Sequence, residues 1–538
     1  MKKILALIMS VVLIFITAGC VENKENNISN KNKDSIRVSG GEISIFSYKP
    51  DTLCPIFSKN QANIHMLNAV YDGLVTLPEN LYPEAALAES WTVSDDGLKW
   101  KLALRQDVVW HDGTLFDAKD VLYTINQIKG NEDSVYSYNV SFIKNIKELS
   151  PYEVEFELTE PWSNFVSLLY FPIIKAEGEI SPSDYKPIGT GPYKFEDRGE
   201  GNVFYLVRNK KWWGGKPESD CIVVRMLPDN NTALYAFSSG SIDMTISDDM
   251  NWGRFVDPVS ASYTSVKTPI FHFLGINHES GALQFPEVRK SISYSIDRQN
   301  IIDEVMMGYA TPAGIPVHPD WYICGENKMD FPLNKNATRE IMGDNDWKLT
   351  DGVYTKTVET LETMENYEPE HGSGRMEAKD YKTEFKVLFN EDNEYRKSMA
   401  ELLKKSLEPM GFKIILQSVD YEEYAQRIES GDYDIFIGSY IVSPELKFSF
   451  ILDEGNVFRF NDDMMNNAIK SLRNKTSISG VEEGFDSLIK NFKELNPVIG
   501  LFFEDQIMVH SNRIEGEIKP TYFDLYRGIE SLRKEEAR

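Results

Sequence analysis

Residues 386–438, KVLFNEDNEYRKSMAELLKKSLEPMGFKIILQSVDYEEYAQRIESGDYDIFIG, decide the fold class of this 538-residue chain. Lys386-Val387-Leu388-Phe389 reads as a strand, 396–410 as an amphipathic helix ended by Gly411, 413–419 as a second strand, 421–430 as a second helix, and 433–438 as a third strand. Strands alternating with helices at this spacing predict a parallel sheet with helical crossovers over 380–440, because parallel strands need a long return connection.

Outward from that block the pattern stays mixed. Glu42-Ile43-Ser44-Ile45-Phe46 after Gly40-Gly41, residues 100–105 (WKLALR) and residues 152–158 (YEVEFEL) alternate as strands do. Asp117 can cap a helix whose Val121, Leu122 and Ile125 share one face. Residues 287–307 read as one helix between Pro286 and Gly308. The acidic, polar segment 356–380, with Gly372-Ser373-Gly374, reads as a surface hairpin or loop. No repeat of 20 to 50 residues is present.

The first twenty residues are of another kind. Lys2 and Lys3 precede an apolar run over 4–16 and the small residues Thr17-Ala18-Gly19, which lead into Cys20. Such a run is too short for a bilayer core of about 30 Å and reads as an export signal. Its ending resembles the bacterial lipoprotein signal, which implies lipidation at Cys20 after removal of residues 1–19. Residues 20–39, rich in Asn, Lys and Ser, read as a flexible tether. Outside the cytoplasm there is no pool of ATP or NAD(P)H, and neither phosphate-binding glycine motif occurs.

Without the leader 519 residues remain, enough for two or three domains. The net charge of −26 includes Lys2 and Lys3, so the exported chain carries about −28, which argues against nucleic acid or an anionic membrane face as partner. Beyond Cys20 the cysteines are Cys54, Cys221 and Cys324, read as isolated small buried residues, though one pair could bridge. None of the seven histidines forms a ligand pair of the H-E-x-x-H kind, and no G-x-S-x-G occurs. Neither a metal, a cofactor nor an enzyme is expected. Aromatic residues such as Trp91, Trp110, Trp162, Tyr170, Trp212, Trp213 and Trp321 fall on strands or loops; most serve the core, and a few could line a cleft.

One register runs through Tyr71-Asp72-Gly73-Leu74-Val75, Leu87-Ala88-Glu89-Ser90-Trp91, Ser94-Asp95-Asp96-Gly97-Leu98, Leu104-Arg105 and His111-Asp112-Gly113-Thr114. It continues through Thr190-Gly191-Pro192-Tyr193, 209–213, Gly240-Ser241-Ile242-Asp243 and 288–302. Over essentially the whole exported chain this resembles the extracellular solute-binding proteins of family 5, the dipeptide, oligopeptide and nickel receptors of ABC importers. Most of these motifs read as turns and corners, His111-Asp112 included. The resemblance implies an α/β, two-lobed, periplasmic-binding-protein-like clamshell (type II, cluster C) with an extra subdomain in lobe one. Lobe one would comprise 40–82, 186–276 and 498–538, the extra subdomain 83–185, and lobe two 277–497. It further implies a monomer that binds a peptide by hinge closure, without a cofactor, and delivers it to an ABC permease and its ATPase.

By the same resemblance, ligand contacts are expected from the loop 48–54, with Tyr48 and Asp51, and from the start of lobe two, with Phe271, His272 and Asn277. A third set follows the strand 433–438, with Ser439, Tyr440, Ser443 and Glu445. Where the peptide receptors place an aspartate on the ligand's α-ammonium, this chain has Ser443, so that role moves to Glu445 or is absent. That departure keeps two alternatives open: the same fold holding a metal chelate, an oligosaccharide or a modified peptide, or a peptide-sensing receptor without import.

Overall fold

The expected alternation over 380–440 is realised in the computed structural model, which describes residues 40–247, 252–324, 331–362, 375–446, 448–453 and 455–535. The leader, Cys20, the tether and the Gly372-Ser373-Gly374 tip lie outside the described residues. Strand Glu384–Asn390 runs parallel to Lys413–Val419 and to Ile435–Ile441, with helices Glu394–Leu407 and Tyr421–Ser430 as the crossovers. Each crossover helix is capped by its own sequence: Asn393 accepts from the Arg396 N–H and Asp420 from the Glu423 N–H. Gly411 and Gly431 follow the two helices at φ 90° and 80°, the left-handed turn that glycine adopts at no steric cost.

These strands form one end of an eleven-stranded sheet among the described residues. Two long strands, Ala261–Ile276 and Val498–Ser511, pair antiparallel at its centre. The end of the first pairs with Ile435–Ile441; the far part of the second pairs with Met244–Ser247, which continues to Glu42–Ser47 and Cys221–Met226. The long pair therefore belongs to both ends of the sheet. Its register slips twice, between Lys267 and Phe271 and between His272 and Phe273. Pro269 sits in the first slip, where a residue without an N–H cannot serve a ladder.

A separate four-stranded antiparallel sheet comprises Ala88–Val93, Lys99–Leu104, Glu153–Leu158 and Ile143–Ser150. In Lys99–Leu104 alternate residues are buried, as the sequence alternation requires. Helix Ala118–Lys129 packs beside it, begun by a capping box between Asp117 and Asp120. Asp95-Asp96-Gly97 and His111-Asp112-Gly113-Thr114 are turns.

One reading changes. The helix expected over 287–307 is two, Pro286–Ser295 and Arg298–Val305. Buried Ile296 is extended, and the Asp297 side chain accepts from the Asn300 N–H, so a second N-cap outcompetes continuation. Segment 356–380 is a hairpin, with arms Val353–Glu362 and Arg375–Lys382. The three cysteines are buried free thiols.

The parallel end packs over Leu274, Ile292, Leu403, Phe412 and Ile435; the other end shares a cluster with the four-stranded sheet through Ile43, Val70, Ile222, Leu102 and Phe156. Buried Arg289 and Arg298 tie the broken helix to the end of helix Ile478–Leu495 and to the long strand after it, donating to the carbonyls of Leu495 and Gly500 respectively. Burial lowers both guanidinium pKa values to about 10, so both stay cationic at neutral pH. Among the described residues no helix is long and apolar enough to cross a membrane.

Candidate functional site

Beyond Ile441 the chain turns back through Val442, whose N–H donates to the Pro269 carbonyl at 2.9 Å. The first register slip in the long strands thus anchors the segment that follows. That segment carries Ser443 and Glu445 against Tyr138, which comes from the short helix Ser137–Val140 beside the four-stranded sheet. The Tyr138 hydroxyl donates to Glu445 Oε1 at 2.5 Å, Ser443 Oγ donates to Glu445 Oε2, and Trp162 Nε1 donates to the Glu445 carbonyl at 3.2 Å. Glu445 is 2% exposed. Tyr138, Tyr440, Ser443, Glu445, Phe448 and Phe450 enclose a small cavity of about 10 Å³.

The same seam is held farther along. Tyr322 donates through its hydroxyl to Asn164 Oδ1 at 2.7 Å and through its N–H to the Asn80 carbonyl at 2.9 Å. Arg473 lies over the Trp162 ring at 4.8 Å and 3.7 Å from Glu160. Between these contacts opens a cavity of about 250 Å³, walled by Trp91, Trp100, Tyr82 and Tyr322 and by Ser477 at the start of helix Ile478–Leu495. A larger cavity, about 730 Å³, lies on the side of Tyr170 and Phe523.

Burial pushes the Tyr138 and Tyr440 hydroxyl pKa values up, and the nearby Glu445 carboxylate adds to both shifts. Tyr170 is pushed up to about 12, by burial first. All three stay protonated at physiological pH and can donate. The seam therefore offers aromatic faces, hydroxyl donors and one buried carboxylate, the mixture that fixes a polar solute in an apolar cleft. Among the described residues no group of three or more His, Cys, Asp or Glu is arranged to hold a metal ion.

Of the residues expected at the site, Tyr440, Ser443 and Glu445 come together, and Phe271 lies opposite Tyr440 in the strand register. Tyr440 stacks on Phe450 at 3.9 Å, whereas Phe271 is fully buried against Phe273 and Phe503. His272 and Ser439 form the next register pair; His272 Nε2 is 2.7 Å from Glu504 Oε2, and Ser439 Oγ accepts from Arg396 at 3.3 Å. Tyr48, Asp51 and Asn277 lie elsewhere. Tyr48 donates to Asn230 Oδ1, and Asp51 accepts from Ser58 and from the N–H groups of Thr52 and Lys59. Asn277 donates to the carbonyls of Gly431 and Tyr433. Asp51 thus spends its carboxylate on its own loop, and Asn277 its amide on the segment before strand Ile435–Ile441.

Sequence reasoning missed Tyr138, Tyr322, Phe450 and Phe523. Nothing in the string around Tyr138, Ser-Val-Tyr-Ser-Tyr-Asn-Val, marks it, and its partner Glu445 is 307 positions away.

Comparison with known proteins agrees with this architecture. Residues 82–451 match the family described as bacterial extracellular solute-binding proteins, family 5. The oligopeptide-binding protein AppA of Bacillus subtilis is 23% identical over 556 aligned positions, covering 96% of each chain. Its structure in complex with a nonapeptide superposes with a TM-score of 0.60 at 20% identity, covering 93% of this chain and 99% of that one. The structure of NikZ from Campylobacter jejuni in complex with Ni(L-His) gives 0.64 at 21% identity, over 92% of this chain and all of that one. These relatives are two-lobed solute-binding proteins. With the family match spanning most of its length and the two-lobed architecture to go with it, the chain belongs to the bacterial extracellular solute-binding proteins of family 5.

Proposed function

We propose that this protein is a lipid-anchored receptor outside the cytoplasm that closes two lobes on a peptide and hands it to the permease of an ABC importer. The observation that carries the reading is the Tyr138–Glu445 contact, a hydroxyl and a buried carboxylate meeting across a seam between distant parts of the chain. A bound solute with an amino group would meet there a countercharge that Ser443 alone does not supply. In this reading the working division is lobe one at 40–82, 186–276 and 498–538, its subdomain at 83–185, and lobe two at 277–497. The hinge falls at the slipped registers of the two long strands, where ladder hydrogen bonds are already interrupted. Diacylation of Cys20 would hold the receptor at the outer face of the membrane, since two chains anchor firmly where one does not. The receptor works as a monomer.

A second reading, a non-peptide solute such as a metal–histidine chelate, draws on Ser443, whose hydroxyl is already engaged by Glu445. Native mass spectrometry of the purified protein separates the two. The proposal expects a co-purified ladder of peptide masses released on unfolding. A single chelate mass would favour the second reading, and a bare chain that takes up no member of a peptide library would overturn the first.

A further inference from the structure

The 730 Å³ cavity has the size of a small-molecule site and lies outside the Tyr138–Glu445 contact. Its walls are aromatic, including Trp212, Trp213 and Phe523, and of the five carboxylates that line it Asp72, Asp524 and Glu530 carry no ion pair among the described residues while Glu84 and Glu517 do. All three keep partial exposure although they sit deep. Asp72 Oδ2 accepts from Thr190 Oγ1 at 2.8 Å and Trp213 Nε1 at 3.0 Å, and Asp524 Oδ1 accepts from the Tyr526 N–H at 3.1 Å.

The two cations in the same wall are spent. Arg527 pairs with Glu84 at 2.6 Å and Lys519 with Glu517 at 2.7 Å. Among the described residues no Lys, Arg or His forms an ion pair with Asp72, Asp524 or Glu530. Burial raises all three pKa values, that of Asp524 to about 7. The five carboxylates leave the aromatic hollow net negative even though Arg105, Arg527 and Lys519 partly offset that charge, which favours the entry of a further cation.

The cavity also adjoins the seam. Tyr170 and Phe523, their ring centroids 5.0 Å apart, form its wall and also pack against the apolar cluster that holds Val442, Leu446 and Phe448. We propose that this cavity receives a cationic side chain of the solute, an ammonium or guanidinium, so that the receptor selects basic peptides. The inference rests on the peptide-receptor reading and narrows its cargo.

Two tripeptides test it by calorimetry on the full-length protein: Gly-Arg-Gly and Gly-citrulline-Gly, equal in shape and different by one charge. At least a tenfold preference for the arginine peptide is expected. The double variant Asp524→Asn, Glu530→Gln should reduce the preference below twofold, while Asp524→Glu, which keeps the charge, should retain it. Equal affinities in the wild-type protein, or a preference that survives the double variant, overturn the inference and leave the receptor reading standing. If neither peptide binds, arginine amide decides: binding that the double variant abolishes supports the cavity while counting against peptides, and no binding overturns the cavity.

Discussion

Tyr138→Phe removes one oxygen atom and keeps the ring against Phe142, whose centroid lies 5.4 Å away. The lost hydroxyl donates to a carboxylate that is 2% exposed. A hydrogen bond to a charged group contributes about 1.5–3 kcal/mol net. In the proposed two-lobe closure the contact spans the seam, so the full amount falls on the closed arrangement and none on an open one. At about 1.4 kcal/mol per factor of ten, the closed-to-open ratio should fall by roughly 10- to 150-fold. Single-molecule energy transfer reads that ratio, with dyes on cysteines placed at exposed Asn202 and Glu429 in protein lacking residues 1–20; Cys54, Cys221 and Cys324 are buried and should not label. An unchanged closed fraction in Tyr138→Phe would refute the reasoning, because the Tyr138–Glu445 contact would then not hold the seam.

Other consequences are simpler to read. Gly500→Ala places a Cβ 2.5 Å from the Ala313 carbonyl oxygen and 2.7 Å from Phe271 Cζ, in the long strand itself. Backbone must move, so a loss of about 4 kcal/mol or more is expected in urea unfolding, the upper range for single substitutions. Asp117→Ala removes a cap from the Lys119 N–H and should cost about 1 kcal/mol of stability without altering solute affinity. Burial holds His65, His111 and His318 down to about 4 and His278 to about 3, so all four are neutral in the folded protein at pH 6. The unfolded chain protonates them near pH 6.5, so stability is lost as pH falls from about 6.5 toward 4, with a slope approaching about 1.4 kcal/mol per pH unit for each group. Urea midpoints at pH 7 and pH 5 measure it. Asp524, raised to about 7 by burial and by Glu530 and opposed by Arg527, acts in the other direction, so Asp524→Asn should steepen the acid loss.

The sheet's parallel end was legible in the sequence because its signals are local. Asn393, Asp420, Gly411 and Gly431 punctuate strands and helices within a few residues of where each begins or stops. The break at Ile296-Asp297 was not, because the apolar spacing through Ile292, Ile296, Ile301 and Ile302 runs on without Gly or Pro, and only the Asp297 cap and the burial of Ile296 decide otherwise. At the site the same division appears. Tyr440, Ser443 and Glu445, which the structure brings together, were legible because they follow a recognisable strand. Tyr138 was not, since a contact across 307 positions leaves no trace in either segment. Asp51 and Asn277 lie apart from these residues: Asp51 accepts within its own loop, and Asn277 donates across to Gly431 and Tyr433. The family motifs behave similarly: Asp72, Thr190 and Trp213, far apart in the chain, meet around one carboxylate.

Hydrogen–deuterium exchange with and without the solute that native mass spectrometry identifies tests interlobe binding most directly. The account predicts simultaneous added protection on both sides of the seam, at 136–142 and at 440–446. Protection confined to one side, or lying wholly elsewhere, would contradict binding between the lobes.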